Sequence, residues 1–515
     1  GSTATGRWIN QAMAHREGGH PAALIAETGG QNAMIVDSSA LAEQVVTDVI
    51  NSAFLSAGQR CSGLRVLYLQ EDIADRIIDM LRGAMAQLKI GDPADVSNDI
   101  GPVIDARALQ RLETHCDYLD GPDVVAELLY RCELSDGCGQ GYFFAPRLYQ
   151  IGSIELLPQE VFGPVVHIIR YPGTGFNQVI EQVNRTGYGL TLGLHSRLES
   201  RWQQTIDQAR VGNIYINRDM VGAVVGVQPF GGQGLSGTGP KAGGPLYLSR
   251  LMRWPTFANT RLSKQPVDDP GGTDLPDVNG QQGLLKAMAA VQVRWGNQPL
   301  STRAALINRM ADWLKDHDLA VEMSMGHKQT LISAIAELLE QGNQLLADDW
   351  AMPGPTGQRD VYFLHSRGLV LLLADSARPI DLVGCLFQLL SALLCGNTVM
   401  IISAENQLSV DAGFWKKCLS LLHQQGLPDS LVSLLSMAHL SSLLAHEDLS
   451  AVVLVAGSDR LKSVEQRLAN RPGALVPLIT ELAARPLIAR LSQEKSISIN
   501  SSAAGGNAEL LCLGD

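Results

Sequence analysis

No two cysteines in this chain are spaced C-x-x-C, although Cys61, Cys116, Cys132, Cys138, Cys385, Cys395, Cys418 and Cys512 make eight in all. Without such pairs neither a zinc site nor a disulfide framework is expected, and no metal is assigned. The pattern suits a reducing compartment. A long basic run is also missing. Lysine and arginine number 40 against 52 aspartates and glutamates, a formal net charge of −12. Nucleic acid is therefore not an expected partner. The first residue is Gly1 rather than methionine, and no signal peptide follows it, so the stretch reads as the interior of something larger. One segment, Leu382 to Ala404, carries no charge over a length sufficient to cross a bilayer. Gly396-Asn397 is a turn signal in its middle, and the strand-like Thr398 to Ile402 follows. A buried helix feeding a buried strand is expected there, and no membrane span.

A chain of 515 residues is long enough for two to four domains. Helical faces alternate with short apolar runs, which indicates an α/β architecture. A helix is expected to open at Gly1-Ser2, with its polar end toward a possible anion. Leu24-Ile25-Ala26 reads as a short strand ending at Glu27, and Ala33 to Val36 as another. Ser38 and Ser39 are N-cap candidates for a helix whose apolar face is Leu41, Val45, Val46, Val49, Ile50, Ala53 and Phe54, stopped by Gly58. The next strand is Val66 to Leu69. A second amphipathic helix presents Ile73, Ile77, Ile78, Leu81, Met85 and Leu88 on one face. Residues 263–282, rich in Pro, Gly, Asp and Gln, read as a linker. Beyond them come helices near 284–294 and 302–316 and strands at 369–374, 398–403 and 451–455.

Cys61 lies on the short link between a helix end and a strand, a good place to hold a nucleophile. Some thirty residues earlier, Glu27 precedes Gly29-Gly30. By itself the cysteine reads as one more small buried residue, and the glycine run from Gly222 to Gly244 as a plain loop. Only the company these residues keep gives them chemistry.

E-T-G-G-Q-N at 27–32, G-Q-R-C-S at 58–62, E-V-F-G-P at 160–164 and P-F-G-G at 229–232 stand in one order along the chain. Together they resemble the aldehyde dehydrogenase superfamily. The longer run G-V-Q-P-F-G-G-Q-G-L-S-G-T-G-P-K-A-G-G-P is similar to the dehydrogenase part of the bifunctional proline-utilisation flavoproteins. The resemblance implies NAD-dependent oxidation of glutamate semialdehyde, the open form of 1-pyrroline-5-carboxylate, to glutamate. It assigns Cys61 as the nucleophile that forms a thiohemiacetal and then a thioester, and Glu27 as the base that activates water to hydrolyse it. Ser2, Glu160 and Phe162 become NAD contacts. Ser62 and the amides of Gly222 and Ala223 become the anchor for the substrate carboxylate, and Phe230 packs on its aliphatic part. The cofactor implied is NAD; FAD is expected only in an upstream proline dehydrogenase domain, the implied partner in the same parent chain. A cytoplasmic location follows, with a homo-oligomer left open.

Residues 1 and 2 resemble the end of the family's F-T-G-S motif. This implies that the adenosine-ribose lysine and the oxyanion asparagine lie upstream, and that this stretch alone has little or no activity. The second half contains an internal repeat. Gly457-Ser458, Leu468-Ala469, Arg471, Gly473 and Leu478-Ile479-Thr480-Glu481 echo Gly1-Ser2, Met13-Ala14, Arg16, Gly18 and Leu24-Ile25-Ala26-Glu27. The chemistry does not repeat. Ala377 stands where the oxyanion asparagine would be, Ile402 replaces the ribose lysine, Ala483 and Ala484 replace the glycines, and Cys512 lacks the G-Q-R-C context. The expected organisation is 1–28 as the end of an NAD-binding domain, 29–258 as a catalytic thiol domain and 259–282 as linker. Residues 283–515 follow as a degenerate Rossmann-type aldehyde-dehydrogenase-like domain that covers the substrate tunnel or packs as a dimer's partner would. The alternative is a structural piece that seals the tunnel with no turnover of its own.

Overall fold

Apolar runs that alternate with helical faces sort into two sheets in the computed structural model, which describes residues 1–17, 22–252, 254, 278–317, 324–374, 379–403, 410–455 and 458–501. The larger sheet has ten strands. From one edge they are Trp350–Met352, Gln358–Ser366, Ser492–Asn500, Asn213–Ile216, Thr191–His195, Ala33–Val36, Val66–Gln70, Val165–Tyr171, Arg147–Ile151 and Ala126–Arg131. The middle of the sheet is parallel, from Ser492–Asn500 through to Arg147–Ile151. Its strands Ala33–Val36 and Val66–Gln70 are buried along their whole length, as parallel strands covered on both faces must be. The smaller sheet has five parallel strands, Val432–Ser436, Thr398–Ser403, Leu369–Leu373, Leu449–Leu454 and Leu478–Ile479. Numbered along the chain, that order is 3-2-1-4-5, a doubly wound arrangement.

The two halves share the larger sheet. Strand Ser492–Asn500 comes from the end of the described chain, yet it pairs in parallel with Asn213–Ile216, Ile497 opposite Ile214. Ile497 and Ile499 lie in the core of the first half. The repeat has a spatial meaning too. Helix Thr3–Ala14 packs against its counterpart Ser458–Asn470. Arg7 donates to the Gly473 carbonyl at 2.9 Å, and Lys462 to that of Arg16 at 3.0 Å.

The uncharged segment forms the helix Pro379–Leu394 and the strand Thr398–Ser403, with Gly396 at φ +84 between them. Leu382, Val383, Leu386 and Ile401 are buried in one core. Among the described residues no helix is long and apolar enough to cross a membrane.

Several local expectations are corrected. Helix Ala42–Phe54 begins after Leu41, not Ser38 or Ser39. Ser39 turns to the Asp37 carboxylate at 2.5 Å, a nearer acceptor than the helix amides are donors. Leu41 itself is exposed, because it precedes the first turn. Residues 24–26 form no strand. Only Glu27 makes a bridge, to Gly237, while Thr238 holds Leu24 and Ala26 through its hydroxyl and amide, so the loop is tied without strand pairing. Helix Val278–Gly296 begins inside the segment read as linker, because apolar Leu284, Leu285 and Met288 have a core to join. Residues 255–277, which take in most of that segment, with Gly18, Ala377, Gly457 and Cys512, lie outside the described residues.

Candidate active site

Cys61 is carried by a backbone that few sequences could adopt. Helix Ala42–Phe54 runs into a 3₁₀ turn, Leu55–Gly58, where Ser56, Ala57 and Gly58 all have positive φ. A left-handed non-glycine residue costs about 1–2 kcal/mol. At Gly58 a side chain is impossible, since a Cβ would lie 2.4 Å from the Gly163 carbonyl oxygen. The G-Q-R-C loop and the E-V-F-G-P loop therefore touch backbone to backbone.

Arg65 ties the same two loops together. Its guanidinium is fully buried and donates to the carbonyls of Gly58 and Arg60, each at 2.8 Å. It meets the Glu160 carboxylate at 3.4 Å and lies 5.2 Å from the centre of the Phe162 ring. Asn32 holds the other side, its Nδ2 donating to the carbonyls of Cys61 at 2.7 Å and Gly63 at 2.9 Å. Neither residue was assigned a role from sequence. Asn32 closes the quoted E-T-G-G-Q-N motif, and Arg65, one residue before an apolar strand, gave no signal.

The Cys61 side chain reaches solvent. Burial nevertheless pushes its thiol up, the Ser62 amide pulls it down, and the charges of Glu27 and Glu160 push it up again. Ser62 is buried, and its carbonyl accepts from Thr191 Oγ1 at 3.4 Å.

Glu27 is held from the opposite side by the glycine run. The Gly232 amide donates to both carboxylate oxygens, at 2.9 and 3.1 Å. A Cβ at Gly237 would stand 2.7 Å from Glu27 Oε1, so this loop approaches the carboxylate as only glycine can. Burial raises the Glu27 pKa to about 7, against the Gly232 amide and the Lys241 charge, which both lower it. Lys241 is buried, donating to Asn213 Oδ1 at 2.9 Å and the Gly231 carbonyl at 2.8 Å, and its own amide donates to Glu494 at 3.2 Å. Glu494 belongs to the strand contributed by the second half. Sequence reading left both residues without a role.

Ser2 caps helix Thr3–Ala14, accepting from the Thr5 amide at 3.2 Å. The helix start is moored to the Glu27 segment, since Thr3 Oγ1 donates to the Thr28 carbonyl at 3.1 Å. Glu160 lies against Gly29, where a Cβ would be 2.6 Å from its Oε2, and Phe162 is 45 % exposed. Gly222, at φ +80, and Ala223 sit on an exposed loop after Met220, whose amide donates to Ser52 Oγ of helix Ala42–Phe54 at 3.0 Å. Phe230 is bridged to Ala242 through the backbone. Among the described residues no group of three acidic, histidine or cysteine side chains is placed to hold a metal.

Residues 1–257 match the aldehyde dehydrogenase family. The bifunctional protein PutA of Salmonella typhimurium is 40 % identical over 522 residues, covering 100 % of this chain and 35 % of that protein. The chain thus spans about a third of the length of such relatives. The 1-pyrroline-5-carboxylate dehydrogenase of Geobacillus sp. (strain WCH70) is 36 % identical over 237 residues, 46 % of this chain and 45 % of the relative. The solved structure of PutA from Corynebacterium freiburgense superposes with a TM-score of 0.63 at 22 % identity, over 98 % of this chain and 42 % of that one, which shows a shared fold.

Proposed function

Residues 1–257 belong to the aldehyde dehydrogenase family, and from that footing we propose that this chain is the thiol-bearing part of an NAD-dependent dehydrogenase. Its reaction is the oxidation of L-glutamate γ-semialdehyde, formed from 1-pyrroline-5-carboxylate, to L-glutamate in proline catabolism. The observation that carries this reading is that the Glu27 loop holds the Cys61 loop, Asn32 Nδ2 donating to the Cys61 carbonyl at 2.7 Å, with the Glu27 charge raising the Cys61 thiol. Relatives bearing the name 1-pyrroline-5-carboxylate dehydrogenase support the choice of substrate.

The Cys61 thiolate attacks the aldehyde carbon, and the carbonyl oxygen takes the electron pair to give a thiohemiacetal steadied by the Cys61 backbone amide. NAD, when bound, supplies the hydride acceptor. Ser2, at a helix start whose amides suit a pyrophosphate, would hold it together with Glu160 and the exposed Phe162 ring. Glu27 then removes a proton from the water that cleaves the Cys61 thioester. A carboxylate with a pKa of about 7 is well matched to that task at neutral pH. Ser62 and the amides of Gly222 and Ala223 receive the distal carboxylate of the substrate, and Phe230 its methylenes.

The second half is read as non-catalytic, a cover for the tunnel between this site and an upstream proline dehydrogenase domain that would hold FAD. Strand Ser492–Asn500, which completes the sheet of the first half, favours that role. The test is NADH formation from glutamate semialdehyde by the protein carrying this chain. Cys61→Ala should lower turnover by at least about 10³-fold. Undiminished turnover would remove Cys61 as the nucleophile.

A further inference from the structure

Glu481 holds in the internal repeat the place that Glu27 holds in the first half, yet the two carboxylates differ in their surroundings. Each accepts from a backbone amide, Glu27 from Gly232 and Glu481 from Thr480 at 2.9 Å. Glu481 alone also accepts from an arginine, Arg490 Nη1 at 2.6 Å, and has Arg250 Nη1 at 3.8 Å. Arg367 lies alongside, its Nε donating to the Arg490 carbonyl at 2.9 Å and its Nη2 to that of Ser492 at 3.1 Å. All of these line one cleft between the two halves, and Lys241 and Glu494 line it with them.

Among the described residues the charges of this cleft do not balance. Arg250, Arg367 and Arg490 outnumber the carboxylates beside them, Glu481 and Glu494, and Lys241 is shared between Glu494 and Glu27. The remaining carboxylate of the lining, Glu465, feels Arg16 and Lys462 instead. The excess lies on arginines, of which Arg490 and Arg250 have side chains only 13–20 % exposed. Burial, reinforced by the neighbouring arginines, lowers Arg250 to about 10 and Arg367 to about 9, so the crowding is felt by the groups themselves. Partly buried cations without counterions are costly, and guanidinium forks match oxyanions in geometry. Much of the remaining lining is apolar, with Leu24, Leu246, Leu475 and Val476.

We propose that this cleft is a binding site for a small organic dianion, a phosphate monoester or a dicarboxylate, with its oxyanion on Arg250, Arg367 and Arg490 and its apolar body on the leucine wall. The former base position of the repeat has become an anion receptor. Titration calorimetry of the protein with phenyl phosphate, with phthalate, and with sodium chloride at matched ionic strength tests this. At least one dianion should bind saturably, and which one binds separates the two sources. Arg250→Gln should weaken that binding at least tenfold. Its only ion pair among the described residues is the long one to Glu481, so the fold should survive the change. Glu481→Gln, which removes the competing carboxylate, should tighten binding. The proposal is overturned if neither dianion saturates, if chloride gives the same heats, or if Arg250→Gln binds as tightly as the unsubstituted protein.

Discussion

Glu27 stands near neutrality because burial outweighs both the Gly232 amide and Lys241. Its folded pKa, about 7, lies above the ordinary 4.5, so the folded state holds the proton more tightly. Stability therefore falls as the pH rises from about 4.5 to about 7, and the loss is complete above that range. Glu27→Gln keeps an acceptor for Gly232 and removes the charge. The variant should melt above the unsubstituted protein at pH 8 and level with it near pH 4, while thioester hydrolysis slows by about 10²-fold or more. Equal melting temperatures at pH 8 would contradict the burial argument. The same variant should move the Cys61 thiol pKa down, read as faster iodoacetamide alkylation at fixed pH, because the Glu27 charge pushes that thiol up. Arg65 is a second residue-scale test. It bonds two carbonyls and a carboxylate from a fully buried position, and lysine cannot reproduce that fork. Arg65→Lys should destabilise the protein by about 3 kcal/mol in a denaturant titration, and turnover should fall with it. Unchanged stability would mean that the two loops hold without the fork.

At the level of elements, the strand Ser492–Asn500 decides most. Its Ser496 amide donates to the Gly212 carbonyl at 2.8 Å and its hydroxyl to that of Pro229 at 2.6 Å. Lys495, buried beside it, donates to the carbonyls of Ile206 and Ala209 at 2.7 and 2.9 Å. Proline at position 496 would remove a ladder donor in mid-sheet. Ser496→Pro should cost about 3 kcal/mol or more. It should also raise amide exchange in Asn213–Ile216, which would become an unpaired edge. Protection left intact along that strand would show that the pairing contributes little. The strands at 33–36, 66–69, 369–374, 398–403 and 451–455 were legible from apolar runs, whereas Val165–Tyr171, Thr191–His195 and Ser492–Asn500 were not read. Nor was the turn before Cys61. Left-handed Ser56 and Ala57 follow no residue preference, and contacts distant in sequence impose them. The cap at Ser39 failed for a local reason, as Asp37 offered its hydroxyl a competing acceptor.

Across the whole molecule, the halves share a sheet and each lends residues to the other's apolar core, Ile497 and Ile499 to the first and Leu246 to the second. A chain whose last described strand sits in its first core cannot lose one half and leave the other untouched. Calorimetry should therefore give one cooperative thermal transition. Two well-separated peaks would show that the halves unfold independently and that the shared strand couples them weakly. The packing of helix Thr3–Ala14 on its repeat counterpart Ser458–Asn470 adds a second seam between the halves.

The residue types and their order were enough to mark Cys61 and Glu27 as the nucleophile and base expected of this family, because catalysis fixes short motifs that survive in one dimension. Sequence also marked Ser2, Glu160 and Phe162, and it exposed the repeat with its altered residues. Tertiary structure alone decided what holds those groups. Arg65, Asn32, Lys241 and Glu494 lie outside the assigned roles, and each acts through partners brought together only by folding. Glu494 meets Lys241 from 253 positions along the chain. The same is true of the cleft at Glu481, where three arginines gather from separate elements. A charge has no partner in sequence; burial and distance supply one, and those belong to the fold.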